Sequence, residues 1–64
     1  MSVAQEISDQ VDLVNAQVAN GELSADDGKA ILSELKDVQA ALGTAEAEIA
    51  VRYLVEAIEV LSKA

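Results

Sequence analysis

The sequence of 64 residues contains no cysteine, histidine, proline, tryptophan or phenylalanine. Without cysteine there is no disulfide, and there is no thiolate to hold a zinc ion or attack a substrate. Without histidine the most common general base is missing, and the five serines lack the imidazole that would activate them. We therefore expect a protein that is not an enzyme, with no catalytic residues and no cofactor.

Positive charge is also scarce, since four Lys and Arg stand against twelve Asp and Glu, for a net charge of −8. A surface of this sign repels nucleic-acid phosphates and the anionic face of a membrane. The longest apolar run has three residues, far short of the ~20 that span a bilayer. Residues 1–10 lack the basic start and apolar run of a signal peptide. We expect a cytoplasmic protein, or part of a particle assembled inside the cell, without direct contact to nucleic acid or membrane.

Helical periodicity, interrupted by glycines, divides a single domain (1–64) into three segments. The predicted helices are 3–19, 25–42 and 45–63. Ser24 and Thr44 stand where the second and third helices need N-caps, and Gly43 stands where the second needs a C-terminal glycine. The short connections favour an all-α fold, either a small three-helix bundle running up, down, up or a helical hairpin plus a differently angled third helix.

Each of the first two helices carries an apolar seam that we expect to face the core. The seam of the first helix is Val3, Ile7, Val11, Val14 and Val18. The seam of the second helix is Ile31, Leu35, Val38 and Leu42, with Leu32 on its edge. Gly28 occupies the position whose side chain would pack against Leu23 in a hydrophobic staple. A glycine there is expected to permit close approach of another helix.

The corner between the first two helices carries the carboxylates of Glu22, Asp26 and Asp27 near Gly21. When this stretch is aligned on that glycine as an EF-hand loop, alanine and valine occupy the first two ligand positions, and only two oxygen ligands remain. Because calcium takes six to eight oxygens, we expect no metal site and interpret the stretch as a helix corner.

The third helix is apolar over an arc of about 240°, whereas a surface helix needs a little over 100°. Its polar strip, expected to meet water and to form internal ion pairs, is Glu48, Arg52, Glu56, Glu59 and Lys63. In one interpretation the other two helices cover the whole apolar arc. In the other, favoured by the small interior of a short chain, another protein covers one flank. The residues predicted to contact that partner are Ile49, Tyr53 and Val60 on one flank, Val51 and Val55 on the other, and Leu13 of the first helix.

These patterns predict a non-enzymatic acidic helical protein that acts by protein–protein association through its third helix. The partner is either a second copy, in a homo-oligomer, or a larger basic protein. A viral or phage structural or accessory protein fits this description, as does an adaptor. The alternative is an acidic inhibitor of the anti-CRISPR or anti-restriction type, which mimics nucleic acid in the site of a basic enzyme. Its acidic face would be Glu6, Asp9, Asp12, Glu22, Asp26 and Asp27. The acidity also fits simple solubility or a salt-rich host.

Overall fold

In a computed structural model, the chain folds as three α-helices joined by two short connections. The structure describes residues 2–63; Met1 and Ala64, the ends of the predicted domain, lie outside this range. The helices are α1 (Val3–Ala19), α2 (Ala25–Leu42) and α3 (Ala45–Lys63). The prediction of an all-α fold is confirmed, and the helices have the bounds expected from periodicity and caps.

Side-chain hydrogen bonds account for where the helices begin. The hydroxyl oxygens of Ser24 and Thr44 each accept a 3.0 Å bond from the backbone N–H three residues later, as their positions predict. Ser2 caps α1 in the same way, through a 3.1 Å bond from the N–H of Gln5. Each bond satisfies one of the N–H groups that a helix N-terminus leaves without a partner.

Glycines in the left-handed conformation end α1 and α2. Gly43 follows α2 with a φ of 67°, in agreement with its predicted role. After α1, the N–H of Gly21 (φ 78°) donates to the carbonyl of Val18 at 3.1 Å, and the N–H of Glu22 donates to the carbonyl of Gln17 at 2.9 Å. These two bonds form a Schellman motif, so the chain turns at this corner through backbone hydrogen bonds.

The third helix lies between the other two. It packs most extensively on α2 and next on α1, whereas α1 and α2 contact each other least. Gly28, near the start of α2, lies against Val18 near the end of α1 and Leu61 near the end of α3. The helices therefore run up, down, up, as a three-helix bundle does. The principal extents are 34 × 21 × 15 Å, so the bundle is flattened and a cleft remains between α1 and α2.

Most of the small core comes from α3. The buried apolar residues are Ile7, Val11 and Val14 of α1, Leu32 of α2, and Ala47, Ala50, Leu54, Ala57 and Leu61 of α3. Val3 and Val18 pack at the edge of this cluster, so the predicted seam of α1 is confirmed. The three alanines on the buried stripe of α3 let the neighbouring helices approach closely. Because an alanine side chain is small, each of them buries little apolar area.

Gly28 lies at a crowded point of the bundle, as expected from its missing side chain. A Cβ at this position would lie 3.0 Å from Cγ2 of Val18, 3.2 Å from Cδ1 of Leu61 and 3.3 Å from Cγ1 of Val14. Since carbon atoms pack best at about 3.5–4.0 Å, no side chain fits here unless a neighbour moves. Side chains of both α1 and α3 thus rest against the backbone of α2.

The predicted seam of α2 is wrong, because the helix is rolled by about 60° from the expected orientation. The row that faces the core is Gly28, Leu32, Leu35 and Gln39. The seam residues that are exposed instead are Ile31, Val38 and Leu42. The close contacts at Gly28 explain the roll: once α1 and α3 pack against that glycine, the residues four, seven and eleven positions later share its face.

Gln39 is a polar residue at the end of the core-facing row. It is 9% exposed, and its Oε1 atom has no hydrogen-bond partner within residues 2–63. A buried acceptor without a partner costs about 1–3 kcal/mol. The roll of α2 therefore places a polar side chain on the core-facing row while it leaves apolar side chains outside.

Replacing Gly28 with leucine tests the close packing of the helices. Leucine gains about 1 kcal/mol of helix propensity, but overpacking typically costs about 1–3 kcal/mol. Because three neighbours already lie within 3.3 Å of the Cβ position, we expect a cost at the upper end of this range, about 2–3 kcal/mol. The net loss in the free energy of unfolding, measured in urea, is then about 1–2 kcal/mol. Ala30→Leu, at an exposed position of α2, is the control and should change it by less than about 0.5 kcal/mol. An equally stable Gly28→Leu variant would contradict this packing.

Replacing Gln39 with methionine tests the cost of the unpaired acceptor. Methionine keeps the length of the side chain and removes the polar atoms, so we expect a gain of about 1 kcal/mol in the free energy of unfolding. Gln10→Met, at an exposed position of α1, should leave it within about 0.5 kcal/mol of the parent. Equal stability of Gln39→Met and the parent would mean that Oε1 finds a partner, such as a water molecule, in solution.

Candidate interaction surface

The apolar arc of α3 is not fully covered by α1 and α2. Its buried residues fall within an arc of about 80°. Half-buried Val51, Tyr53 and Ile58 widen the covered part to about 160° of the roughly 240° that is apolar. The remainder lies on the two edges of the covered part. The exposed apolar side chains of α3 are Ile49, Val55 and Val60.

One edge carries Ile49 and Val60, which are 59% and 64% exposed. Together with Tyr53 they fall within an arc of about 40°, and they extend over about 16 Å along the helix axis. We call these three residues the α3 flank. Tyr53 packs against the core cluster, so it belongs partly to the fold, whereas the other two side chains lie mainly in solvent.

The other edge carries exposed Val55 and half-buried Val51. Val51 lines an open cleft of about 410 Å³ between α2 and α3. The other residues that line this cleft are Gln39, Ala40, Gly43, Glu48 and Arg52. The two predicted flanks therefore lie on opposite sides of the covered part of α3 and do not form one surface.

Leu13 is 53% exposed, as its distance from the seam of α1 predicts. It lies one helical turn after Gln10, on the same side of α1. Gln10 lines a second cleft, between α1 and α2. By its helical position, Leu13 therefore lies on the side of α1 that borders this cleft.

Reasoning from the sequence missed the exposed apolar residues of α2, Ile31, Val38 and Leu42. Their helical spacing is the one that predicts a core seam. A signal for the correct orientation was present in Gly28, which was expected to permit close approach of a helix. That expectation places position 28 in the core, and with it the row that contains Leu32.

The polar strip of α3 is exposed to solvent, as predicted. The ion pairs expected along it do not form: in the part of the chain that the structure describes, one ion pair is present, between Nζ of Lys29 and Oδ1 of Asp26 at 3.3 Å. An exposed pair is worth about 0–1 kcal/mol, so the lack of these pairs costs the fold little.

The six carboxylates of the predicted acidic face are all exposed, but they occupy two places. Those on α1 are Glu6, Asp9 and Asp12, and those at the corner are Glu22, Asp26 and Asp27. The axis of α1 extends about 20 Å from Glu6 to its end, so the acids are spread along the molecule. Asp9 accepts a 3.0 Å bond from the side-chain amide of Gln5.

The described residues, 2–63, contain no group of three or more His, Cys, Asp or Glu placed to hold a metal ion. Over the same residues, no helix combines the length and the apolar content needed to cross a membrane. The surface offers exposed apolar side chains on α2 and α3 and exposed carboxylates on α1 and at the corner. Comparison of the chain with models of protein families, with curated protein sequences and with solved structures finds no match.

Proposed function

We propose that this protein acts by protein–protein association through the α3 flank, with a second copy of itself or with a larger protein. The observation that supports the proposal most directly is the exposure of Ile49 and Val60, at 59% and 64%, on one face of the central helix. A single exposed aliphatic residue is ordinary. Here two of them lie in line with the half-buried body of Tyr53, a residue type enriched at interfaces.

The size of this face suits a contact between two helices. Its length of about 16 Å corresponds to three helical turns. Moving one large aliphatic side chain from full exposure to full burial is worth about 1.5–3 kcal/mol. Covering Ile49 and Val60 in a contact therefore contributes part of this free energy at each position. In a symmetric dimer the contribution is made twice, because both copies bury the same two residues.

The charges beside the α3 flank are compatible with a second copy. The flank borders the polar strip, in which Arg52 and Lys63 alternate with glutamates such as Glu56. A strip with both signs can face its own copy in antiparallel register with opposite charges opposed. The net charge of −8 on each chain opposes association at long range, and salt screens this repulsion. Self-association through this face should therefore persist or strengthen at high salt.

Val60→Glu tests the proposed contact, because it places a charge where the flank would be buried. We expect the variant to shift to the monomer mass of 6.7 kDa in light scattering, at concentrations where the parent is larger. The matched control is Ser62→Glu, which adds the same charge at an exposed position on another side of α3. Tyr53→Glu is a poorer test because Tyr53 packs on the core and its loss would destabilise the fold. Equal masses for an oligomeric parent and Val60→Glu would show that Val60 is not at a contact between copies.

A second candidate function is inhibition of a basic nucleic-acid-binding enzyme by mimicry of nucleic acid. It is favoured by the exposure of all six carboxylates of the acidic face and by the absence of any basic residue from α1. Opposite charge would speed such an encounter and make the complex sensitive to salt.

Replacing Glu6, Asp9 and Asp12 with Gln, Asn and Asn tests this second function. The triple variant should lose its ability to displace nucleic acid from a basic enzyme, measured by fluorescence anisotropy with labelled DNA, since three of the attracting charges are gone. The single variant Glu56→Gln on α3 serves as control and should compete like the parent. Failure of the parent to displace DNA at low salt from a panel of such enzymes would count against mimicry.

A further inference from the structure

A row of apolar residues along α2 has the spacing of a helix face that packs against another element. Ile31, Leu35, Val38 and Leu42 follow one another at intervals of four, three and four residues and fall within an arc of about 60°. Only Leu35 is half-buried, while Val38 and Leu42 are 54% and 57% exposed. The row extends over about 16 Å, or three turns. It is an apolar face that α1 and α3 leave uncovered.

This row borders the cleft between α1 and α2, because its half-buried member Leu35 lines that cleft. The cleft has a volume of about 640 Å³, and its lining residues are Glu6, Ile7, Asp9, Gln10 and Leu35. Its floor is apolar, since Ile7 belongs to the core and Leu35 packs against it. On α1, exposed Leu13 lies one turn beyond Gln10. The cleft exists because α1 and α2 both pack on α3 and contact each other least.

The charged groups around this cleft are acidic. Glu6 and Asp9 line it, and Glu34 stands beside the apolar row on α2, within about 70° of its centre. The two lysines of α2, Lys29 and Lys36, lie about 130–150° from the row, on the other side of the helix. The cleft therefore combines an apolar floor and an adjoining apolar row with rims of one sign.

We propose that the α1–α2 cleft binds a basic amphipathic helix of a partner protein. The apolar face of that helix would cover Leu13, Ile31, Leu35 and Val38, and its Lys or Arg side chains would pair with Glu6, Asp9 and Glu34. An amphipathic helix laid into an apolar groove is a recurring mode of recognition, and it would complete a four-helix arrangement around the flattened bundle. This surface and this occupant are distinct from those of the α3 flank.

Charge complementarity selects this occupant over a second copy. Each chain carries a net charge of −8, so a second copy would bring acidic surface to an acidic rim. The four basic residues of a copy are also distributed over α2 and α3 and do not form one basic face. A partner helix with Lys or Arg beside its apolar stripe can cover the apolar floor of the cleft and pair with the carboxylates at its rims.

A designed peptide tests the proposal without knowledge of the natural partner. The probe has about 18 residues, or five turns, with leucine at intervals of three and four and lysine elsewhere. There are two control peptides. The first contains the same residues in an order that forms no apolar face, and the second has glutamate in place of every lysine. We expect calorimetry to show binding of the amphipathic lysine peptide alone. Its affinity should fall between about 50 and 500 mM NaCl without vanishing, because salt screens the charges but not the apolar contact.

Two matched variants locate the binding site on α2. Val38→Lys and Ala40→Lys change the net charge equally and both alter exposed positions, but Ala40 lies on the opposite side of the helix, in the α2–α3 cleft. We expect Val38→Lys to weaken peptide binding about tenfold or more, which corresponds to about 1.4 kcal/mol. Ala40→Lys should weaken it less than about twofold, through long-range charge alone. Circular dichroism of both variants checks that they are folded.

Several results would overturn the proposal. If the control peptide without an apolar face bound as tightly as the amphipathic lysine peptide, the interaction would be unspecific charge attraction. Equal weakening by Ala40→Lys would exclude the α1–α2 cleft as the site. Loss of peptide binding in Val60→Glu would place the peptide on the α3 flank. A parent oligomer that Val38→Lys converts to monomer would assign this face to a second copy. Retained binding in Val60→Glu supports the cleft even if the α3 proposal fails.

Discussion

The convergence of three helices on Gly28 is the contact on which the rest of the structure depends. Because this position has no side chain, Val14 and Val18 of α1 and Leu61 of α3 rest against the backbone of α2. The contact sets the directions of the helices and the roll of α2 about its axis. The roll brings Leu32 into the core with no exposed surface. It also turns neighbouring apolar residues outward, so the core and the exposed apolar row arise from the same contact.

The core formed in this way is small for the apolar content of the chain. Six valine, leucine or isoleucine side chains are buried and seven are exposed, because three positions on the buried stripe of α3 are alanines. A short chain with no cysteine and a single aromatic residue, Tyr53, has few other means of covering apolar surface, and association with another chain is a common one. The proposals for the α3 flank and for the α1–α2 cleft both follow from this imbalance.

The two apolar surfaces differ in the charges beside them, and the charges determine which occupant suits each. The α3 flank borders a strip with both signs, which can oppose its own copy. The α1–α2 cleft borders carboxylates, which repel a copy and attract a basic partner. Apolar burial supplies affinity in both cases, while charge supplies selectivity and the dependence on salt.

Helix bounds and connections could be predicted from the sequence because their causes are local. The caps at Ser24 and Thr44 and the turn at Gly43 involve residues a few positions apart along the chain, and their chemistry is visible in the residue types. The seam of α1 was also predictable, because all five of its residues are large and apolar. Likewise, the exposed flank of α3 followed from an apolar arc too wide for two neighbours to cover.

The roll of α2 was decided only by the tertiary structure. Two of the four residues that face the core, Gly28 and Gln39, have no apolar side chain. The spacing of apolar residues therefore predicts that the neighbouring row of α2 faces the core. Which row turns inward depends on how closely α1 and α3 approach, and that is set by side chains far away in the chain, at Val14, Val18 and Leu61. The helices and their caps follow from the residue types alone, because hydrogen bonds between near neighbours form them. Packing between distant residues determined which apolar face remains exposed.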